Sequence, residues 1–534
     1  MNPLRLLARM VRPRASPAVA KPERTPVKDL SKDLQRNVAC IRKAMSDPAD
    51  LYVRDLIVGD NEKNRIAILY LRTMVDLISI RESVIDALMA RDPSRYAGLE
   101  GEALLERLYM TLPTARGVEP VTSVDSAISS ILTGKGILLL DGVAWGLTLS
   151  AQKTLSRPVQ GPTSELTVLG PQVGLTESLE ESIGLIRTRL RTPDLAIEKF
   201  VIGRKSRTEV RLLYVKGIAP QEIVDELRRR LQAIDTDVVL DAGTIRGFIE
   251  ERPYSPFIVE RLTERPDTIA AELNHGLAAI IVDGSPFALL EPSQFFTVFE
   301  AAEDYYANTW AASMIRVIRI IAYILSIVAT PTYVAIVTFH HELIPLPLLL
   351  NIASSQEGVP FPLALTALIA ELILDVVREA GVRLPQQFGP AVSIVGAVVL
   401  GQSAIEAGFV PPGLIIVVML STIASFAIPR AEKAIAYRVL RFFLLGAAAT
   451  LGFPGLMLAS LAIVYHLASL KTLGVPYFTL FTPGNMRRLL RKVVVAPLEV
   501  QPKTRPLGHR DRVLRGPMPE PQDPKKAPRR GDRL

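Results

Sequence analysis

The chain has 534 residues, with Lys+Arg 62 against Asp+Glu 54 for a formal net charge of +8, and a mean hydropathy of +0.27 alongside 22% charged residues. That length has room for roughly three or four ordinary domains, and the charges lie mostly before residue 320 and after 429, which confines the apolar excess to the stretch between. One cysteine, Cys40, excludes an intramolecular disulfide and any multi-cysteine metal site, and no HExxH, P-loop or GxGxxG motif is present. The expectation is a protein that is not an enzyme, with no metal and no cofactor.

Residues 1–29 are basic and proline-rich, and Arg5 and Arg9 interrupt their apolar part, so no signal-peptide core is present. They read as a disordered arm or as a tail drawn to anionic lipid. Residues 30–160 and 170–300 read as two α/β subdomains, separated by the Pro/Gly/Ser-rich stretch Ser156–Gly174. Apolar runs predict strands at Leu51–Val58, Arg65–Leu71, Ile137–Leu140, Ala144–Leu149, Ala196–Ile202, Glu209–Tyr214, Leu277–Val282 and Pro286–Leu290. Helical periodicity predicts Leu30–Ala44, Asp76–Ala90, Gly101–Met110, Asp125–Leu132, Thr176–Leu190, Pro220–Ala233 and Thr268–Asn274. GKGILLLDGVAWGLT and GLAAIIVDGSPFALL share one pattern, with Asp141-Gly142 aligned on Asp283-Gly284. Each Asp-Gly predicts a two-residue type I′ hairpin, and the repeat is either an internal duplication or a coincidence of common turns.

Residues 301–480 read as an α-helical membrane domain of four to six spans. The apolar segments are Ile320–Phe339, Phe361–Ala380, Ala391–Phe409, Gly413–Ile428 and a long one at Phe442–Leu470. His340–Pro360 carries no Lys or Arg and is expected outside, whereas Arg378, Arg383, Arg430, Lys433, Arg438 and Arg441 mark cytoplasmic loops. The tail, residues 481–534, holds 14 Lys+Arg against 5 Asp+Glu and is expected in the cytoplasm with the N-terminus. Two cytoplasmic termini require an even number of crossings. The last segment is therefore expected to be a tight helical pair turning at Phe453-Pro454-Gly455, or else one kinked helix with Phe361–Ala380 not fully crossing.

Within the second segment, Ala364, Ala367, Glu371, Asp375 and Arg378 fall on one stripe at about 100° per residue. Ionisable groups at that depth are costly, so the stripe is expected to face water or protein. Glu371, Asp375 and Arg378, with Gln402 as an extension, are the candidate ion path; the alternative is a polar contact between helices. His340-His341 is not expected to hold a metal, and His466 is expected to cap or pack.

Long, ordered stretches carry a family resemblance. They include FVIGRKSRTEVRLLYVKGIA, RRRLQAIDTDVVLDAG, IIVDGSPFALLEPSQFF, TFHHELIPLPLLLNIASSQEGVPFP, ELILDVVREAGVRLP, AVSIVGAVVLGQSAIEAG and HLASLKTLGVPY. Over roughly residues 30 to 485 the chain resembles the A subunits of spore germinant receptors, the GerA spore germination family. Asp375 stands where Glu is common, and Ser182 where Asn is often found. The resemblance implies a multi-pass protein of the spore inner membrane, working with a permease-like B subunit and a lipoprotein C subunit. It also implies a homo-oligomer, usually proposed as a pentamer, that senses small nutrients and releases monovalent cations through a channel. Partners are then protein subunits and membrane lipid, with no nucleic acid. A sporulation stage V relative, a secondary transporter and a non-conducting scaffold are the other readings; too few spans and no inverted repeat weigh against a transporter.

Overall fold

Alternation within β2 (Arg65–Leu71) sends Ile66, Ile68 and Tyr70 to one face of its sheet and Ala67, Leu69 and Leu71 to the other, and both faces are buried. In this computed structural model, residues 29–58, 64–81, 98–111, 118–153, 161–162, 164–165, 167–382, 389–430 and 433–478 are described. The first sheet joins β2 to β1 (Leu51–Ile57), β3 (Pro120–Val121), β4 (Gly136–Leu140) and β5 (Gly146–Leu149), in the order β1-β2-β4-β5-β3 with every ladder antiparallel. Helices α1 (Leu34–Ala44) and α4 (Val124–Leu132) cover one face. The short α2 (Leu77–Ile80) and α3 (Gly101–Thr111) cover the other. The helix expected at Asp76–Ala90 begins at Leu77 under an Asp76 cap, and its part beyond residue 81 lies outside the described residues.

The second sheet repeats this plan. Its strands β6 (Leu195–Ile202), β7 (Thr208–Val215), β8 (Arg261–Thr263), β9 (Ala278–Val282) and β10 (Ala288–Glu291) pair in the order β6-β7-β9-β10-β8. Helices α5 (Leu179–Arg189) and α8 (Pro266–His275) lie on one face, α6 (Gln221–Ala233) and α7 (Ala242–Ile249) on the other. In both sheets the strand order is thus first, second, fourth, fifth, third.

The two Asp-Gly turns sit at equivalent places, but neither is a two-residue hairpin. The strands are joined by residues 141–145 and 283–287, and only the glycines take positive φ, +81° and +82°. A type I′ turn needs positive φ at both positions, and the aspartates are doing something else. Asp141 Oδ1 accepts from Leu34 N at the start of α1, and Asp283 Oδ1 accepts from Leu179 N at the start of α5. Gly142 N donates to Lys32 O, and Gly284 N donates to Glu177 O. Shared strand order and shared capping bonds support an internal duplication over coincidence.

A buried ion pair joins the two units: Arg187 Nε and Nη2 donate to Asp50 at 2.7 and 2.8 Å, and Thr73 Oγ1 donates to the same carboxylate. Gly184 lets α5 approach closely there, since a Cβ would lie 2.5 Å from Thr73 O.

The helical region comprises α9 (Thr309–Phe339), α10 (Leu346–Gln356), α11 (Leu363–Val382), α12 (Gly389–Glu406), α13 (Pro412–Phe426) and α14 (Ala434–Ser469). A small ladder, β11 (Lys471–Thr472) with β12 (Val475–Pro476), follows. The long last segment is a helical pair. Gly452 breaks α14 with φ 62° and ψ −139°, one residue before the expected turn. Both ends of α14 return to the second sheet, where Lys433 Nζ donates to Ile258 O and Glu260 O, and His466 Nε2 meets Ser255 Oγ at 2.9 Å. His466 also stacks on Phe257, which settles its packing role. The turn lies at the far end of α9, against Phe339 and His340.

Backbone of this kind is open to glycine alone. Gly452→Ala is expected to cost about 1–3 kcal/mol in backbone strain, and its Cβ would also sit 2.9 Å from Phe339 Cβ. Thermal unfolding of the purified chain in detergent checks this, and wild-type stability in the variant would contradict the tight turn.

Candidate functional site: a buried charge cluster among the helices

The stripe on α11 faces protein along its whole length. Ala367 is buried under Val334 of α9 and Leu414 and Val418 of α13, so small residues let three helices close on one another. One turn further on, Glu371 is 0% exposed. Its Oε1 accepts from Thr330 Oγ1 of α9 at 2.7 Å and from Ser421 Oγ of α13 at 3.4 Å. Its Oε2 lies 2.7 Å from Arg441 Nη2 on the first arm of α14, an ion pair without hydrogen-bond alignment. The same Nη2 donates to Asp375 Oδ2 at 3.3 Å. Arg378 closes the group, 3.6 Å from Asp375 Oδ1, donating to Ser425 Oγ at 3.0 Å and lying over the Phe426 ring.

Two carboxylates and two guanidinium groups therefore balance to zero net charge, held by four helices. Within one chain Glu371 does not line an open path: protein atoms cover it and Arg441 already serves as its cation. Gln402 does not belong to the cluster. It is exposed on α12 and donates to Glu406 Oε1, one turn along the same helix, because α12 reaches the bundle through Gly396 against Val377 and Gly401 against Ile415 instead.

Arg441 was legible only as a cytoplasmic loop charge. Helix α14 begins at Ala434, well before the apolar run at Phe442, and so carries Arg441 into the bundle. Likewise α9 begins at Thr309 rather than Ile320, because Arg316 and Arg319 are neutralised within the fold. Arg316 Nη2 and Arg319 Nη1 donate to buried Asp304 at 2.9 and 2.7 Å, and Arg319 Nη2 donates to Glu303 at 2.8 Å. Glu303 also accepts from Val168 N of the inter-unit linker. Below them, an aromatic cluster that includes Phe295, Phe299, Tyr323, Tyr477 and Phe478 seals the helices to the second sheet.

Among the described residues, two helices are long and apolar enough to cross a membrane, Thr309–Phe339 and Ile435–Ser469, and Pro412–Phe426 is a shorter apolar helix. No group of three or more potential metal ligands occurs among the described residues.

The model of the Bacillus/Clostridium GerA spore germination protein family matches residues 39–507. Spore germination protein KA of Bacillus subtilis (strain 168) is 38% identical over 454 residues, covering 85% of this chain and 82% of that protein. Spore germination protein GerLA of Bacillus cereus is 35% identical over 444 residues, covering 83% and 89%. The uncharacterized membrane protein YfkQ of Bacillus subtilis (strain 168) is 40% identical over 376 residues, covering 70% and 73%. A crystal structure of the N-terminal domain of the A subunit of the Bacillus megaterium spore germinant receptor GerK3 is 31% identical, with a TM-score of 0.41, and covers 51% of this chain and 99% of that one. The match to the family model and to these full-length relatives agrees with the resemblance read from the residues: the chain belongs to the GerA spore germination family.

Proposed function

We propose that the chain is the A subunit of a nutrient germinant receptor, crossing the spore inner membrane several times with both termini in the cytoplasm. Family membership supports the role, and a relative named as a membrane protein supports the setting. The outward faces of the helices do too: Met314, Ile318 and Ile321 on α9 and Leu365, Leu368, Leu372 and Val376 on α11 are exposed apolar side chains. So continuous an apolar surface suits lipid or a neighbouring subunit and not water. The return of both arms of α14 to the sheet side agrees with an even number of crossings and a cytoplasmic basic tail. The partners are a permease-like B subunit, a lipoprotein C subunit, membrane lipid and further copies of this chain, with a pentamer the leading arrangement.

The helical domain forms or gates a monovalent-cation channel. The observation that carries this part is Glu371, buried at the middle of an apolar helix and paired with Arg441 from another. Such a pair favours gating over lining, since breaking it frees a carboxylate at mid-depth without any new residue. Couplings of this kind change an equilibrium by about 5–150-fold. Monovalent-cation flux through the full chain in liposomes, with and without B and C subunits, is expected to change within that range in Glu371→Ala and Glu371→Gln. Wild-type flux and selectivity in both variants would remove the channel assignment.

A further inference from the structure

Several buried polar groups among the described residues lack partners where the second sheet touches the base of α14. Glu291 ends β10, and its carboxylate is 0% exposed with neither oxygen hydrogen-bonded. Leu290 pairs with Arg261 of β8, so the next step in register sets Glu291 beside Glu260, also buried, whose Oε2 has no partner. Two residues along, Ser293 is buried with its Oγ unpartnered, and its backbone N–H faces the Glu291 carboxylate without completing a hydrogen bond. Four buried oxygens, Glu291 Oε1 and Oε2, Glu260 Oε2 and Ser293 Oγ, thus lie along this seam without a hydrogen-bond partner. Leaving such groups bare costs several kcal/mol each for the ionised ones (on the order of the burial penalties seen in proteins).

Lys433 is the nearest positive charge, but its Nζ donates to the carbonyls of Ile258 and Glu260, at 2.5 and 2.9 Å, and lies over the Tyr477 ring. The other charged groups that bear on the two acids are Glu250, Arg246 and Arg230. Arg246 offsets Glu250, and Arg230 is already paired with Glu226 and Glu251, so the two carboxylates against Lys433 leave one negative charge uncompensated. A shared proton would neutralise it but bridge only two of the four oxygens. A hard cation takes several oxygen ligands at once, and a single positive charge balances the group.

We propose that Glu260, Glu291 and Ser293 bind one monovalent alkali cation at the seam between the second sheet and α14. The site would tie the stability of that seam to the cation content of its surroundings. Burial raises the Glu260 carboxyl to about 7, with Glu250 adding to the shift, and burial raises Glu291 well above the usual carboxylate range, with Glu260 adding to it. The sign follows from the raised values. Without a cation the protonated native form is favoured, so stability falls as pH rises from about 4.5 through 7. A bound cation offsets that loss above pH 7.

The test is thermal unfolding of the full chain in detergent at pH 8, in choline, sodium or potassium chloride at equal ionic strength, and separately with calcium chloride. A saturable rise in midpoint of roughly 2–4 °C is expected with sodium or potassium over choline. Glu291→Gln and Glu260→Gln keep the side-chain volume and are expected to abolish that rise while holding or raising the midpoint in choline. Equal midpoints in choline and alkali salts would overturn the site, as would a rise that survives both substitutions. A rise with calcium alone would overturn the monovalent assignment, and a midpoint set by pH but indifferent to cations would assign the group to a shared proton.

Discussion

Arg441→Met is expected to destabilise the helical bundle by about 3–5 kcal/mol, the usual cost of removing one partner of a buried ion pair. Arg441 is 2% exposed and serves two carboxylates, so the variant strands both at once. Glu371 would keep only the Thr330 and Ser421 hydroxyls, and Asp375 only Arg378. The methionine stem replaces the arginine's packing, which isolates the charge from the volume. Adding Glu371→Gln to Arg441→Met should recover a large part of the loss, since a neutral amide can still accept from Thr330. Glu371→Gln alone should cost less than Arg441→Met, because Arg441 keeps Asp375 and the Phe442 ring at 5.6 Å. Unfolding of the four proteins in detergent measures the cycle. An Arg441→Met midpoint equal to wild type, or a double variant no better than the single, would show that the pair does not hold the helices.

Much of the two-sheet fold was written in local pattern. The long strands and the helices that cover them follow from periodicity and from turn residues. What escaped is short or compensated at a distance. Strands β3 and β8 span two and three residues at the sheet edges, too short for any alternation to register. The Asp-Gly pairs were visible, but their role as caps on α1 and α5 depends on helices more than 100 residues away in sequence. In the helical region the stripe on α11 was legible from its 100° spacing, and the structure turns it toward protein. Its counter-ion was not, because Arg441 stands 70 residues from Glu371 and a lone arginine at the edge of an apolar run reads as a topological charge. Gln402 lies outside the charge cluster for the converse reason: its polarity was visible, but which way α12 would face was not.

Asp304→Ala should release the base of α9, at a cost of about 3–5 kcal/mol, because two buried arginines depend on that carboxylate. Asp304 accepts from Arg316 through Nε and Nη2 and from Arg319 through Nη1, and its Oδ2 also accepts from Ala301 N. With it gone, Arg319 keeps Glu303 and the Phe299 carbonyl, whereas Arg316 loses both of its hydrogen bonds to that buried carboxylate. Asp304→Asn retains the shape and an acceptor but not the charge, and is expected to fall between wild type and alanine. Hydrogen exchange locates the damage. Amides over residues 309–319 should exchange faster in Asp304→Ala, while those of β9 and β10 in the second sheet stay protected. The contrast bears directly on where the first apolar helix starts. If residues 309–319 form a loop ahead of a span at Ile320, their amides already exchange quickly and the substitution changes nothing. If Asp304 is what permits α9 to begin at Thr309, its loss shortens the helix from that end.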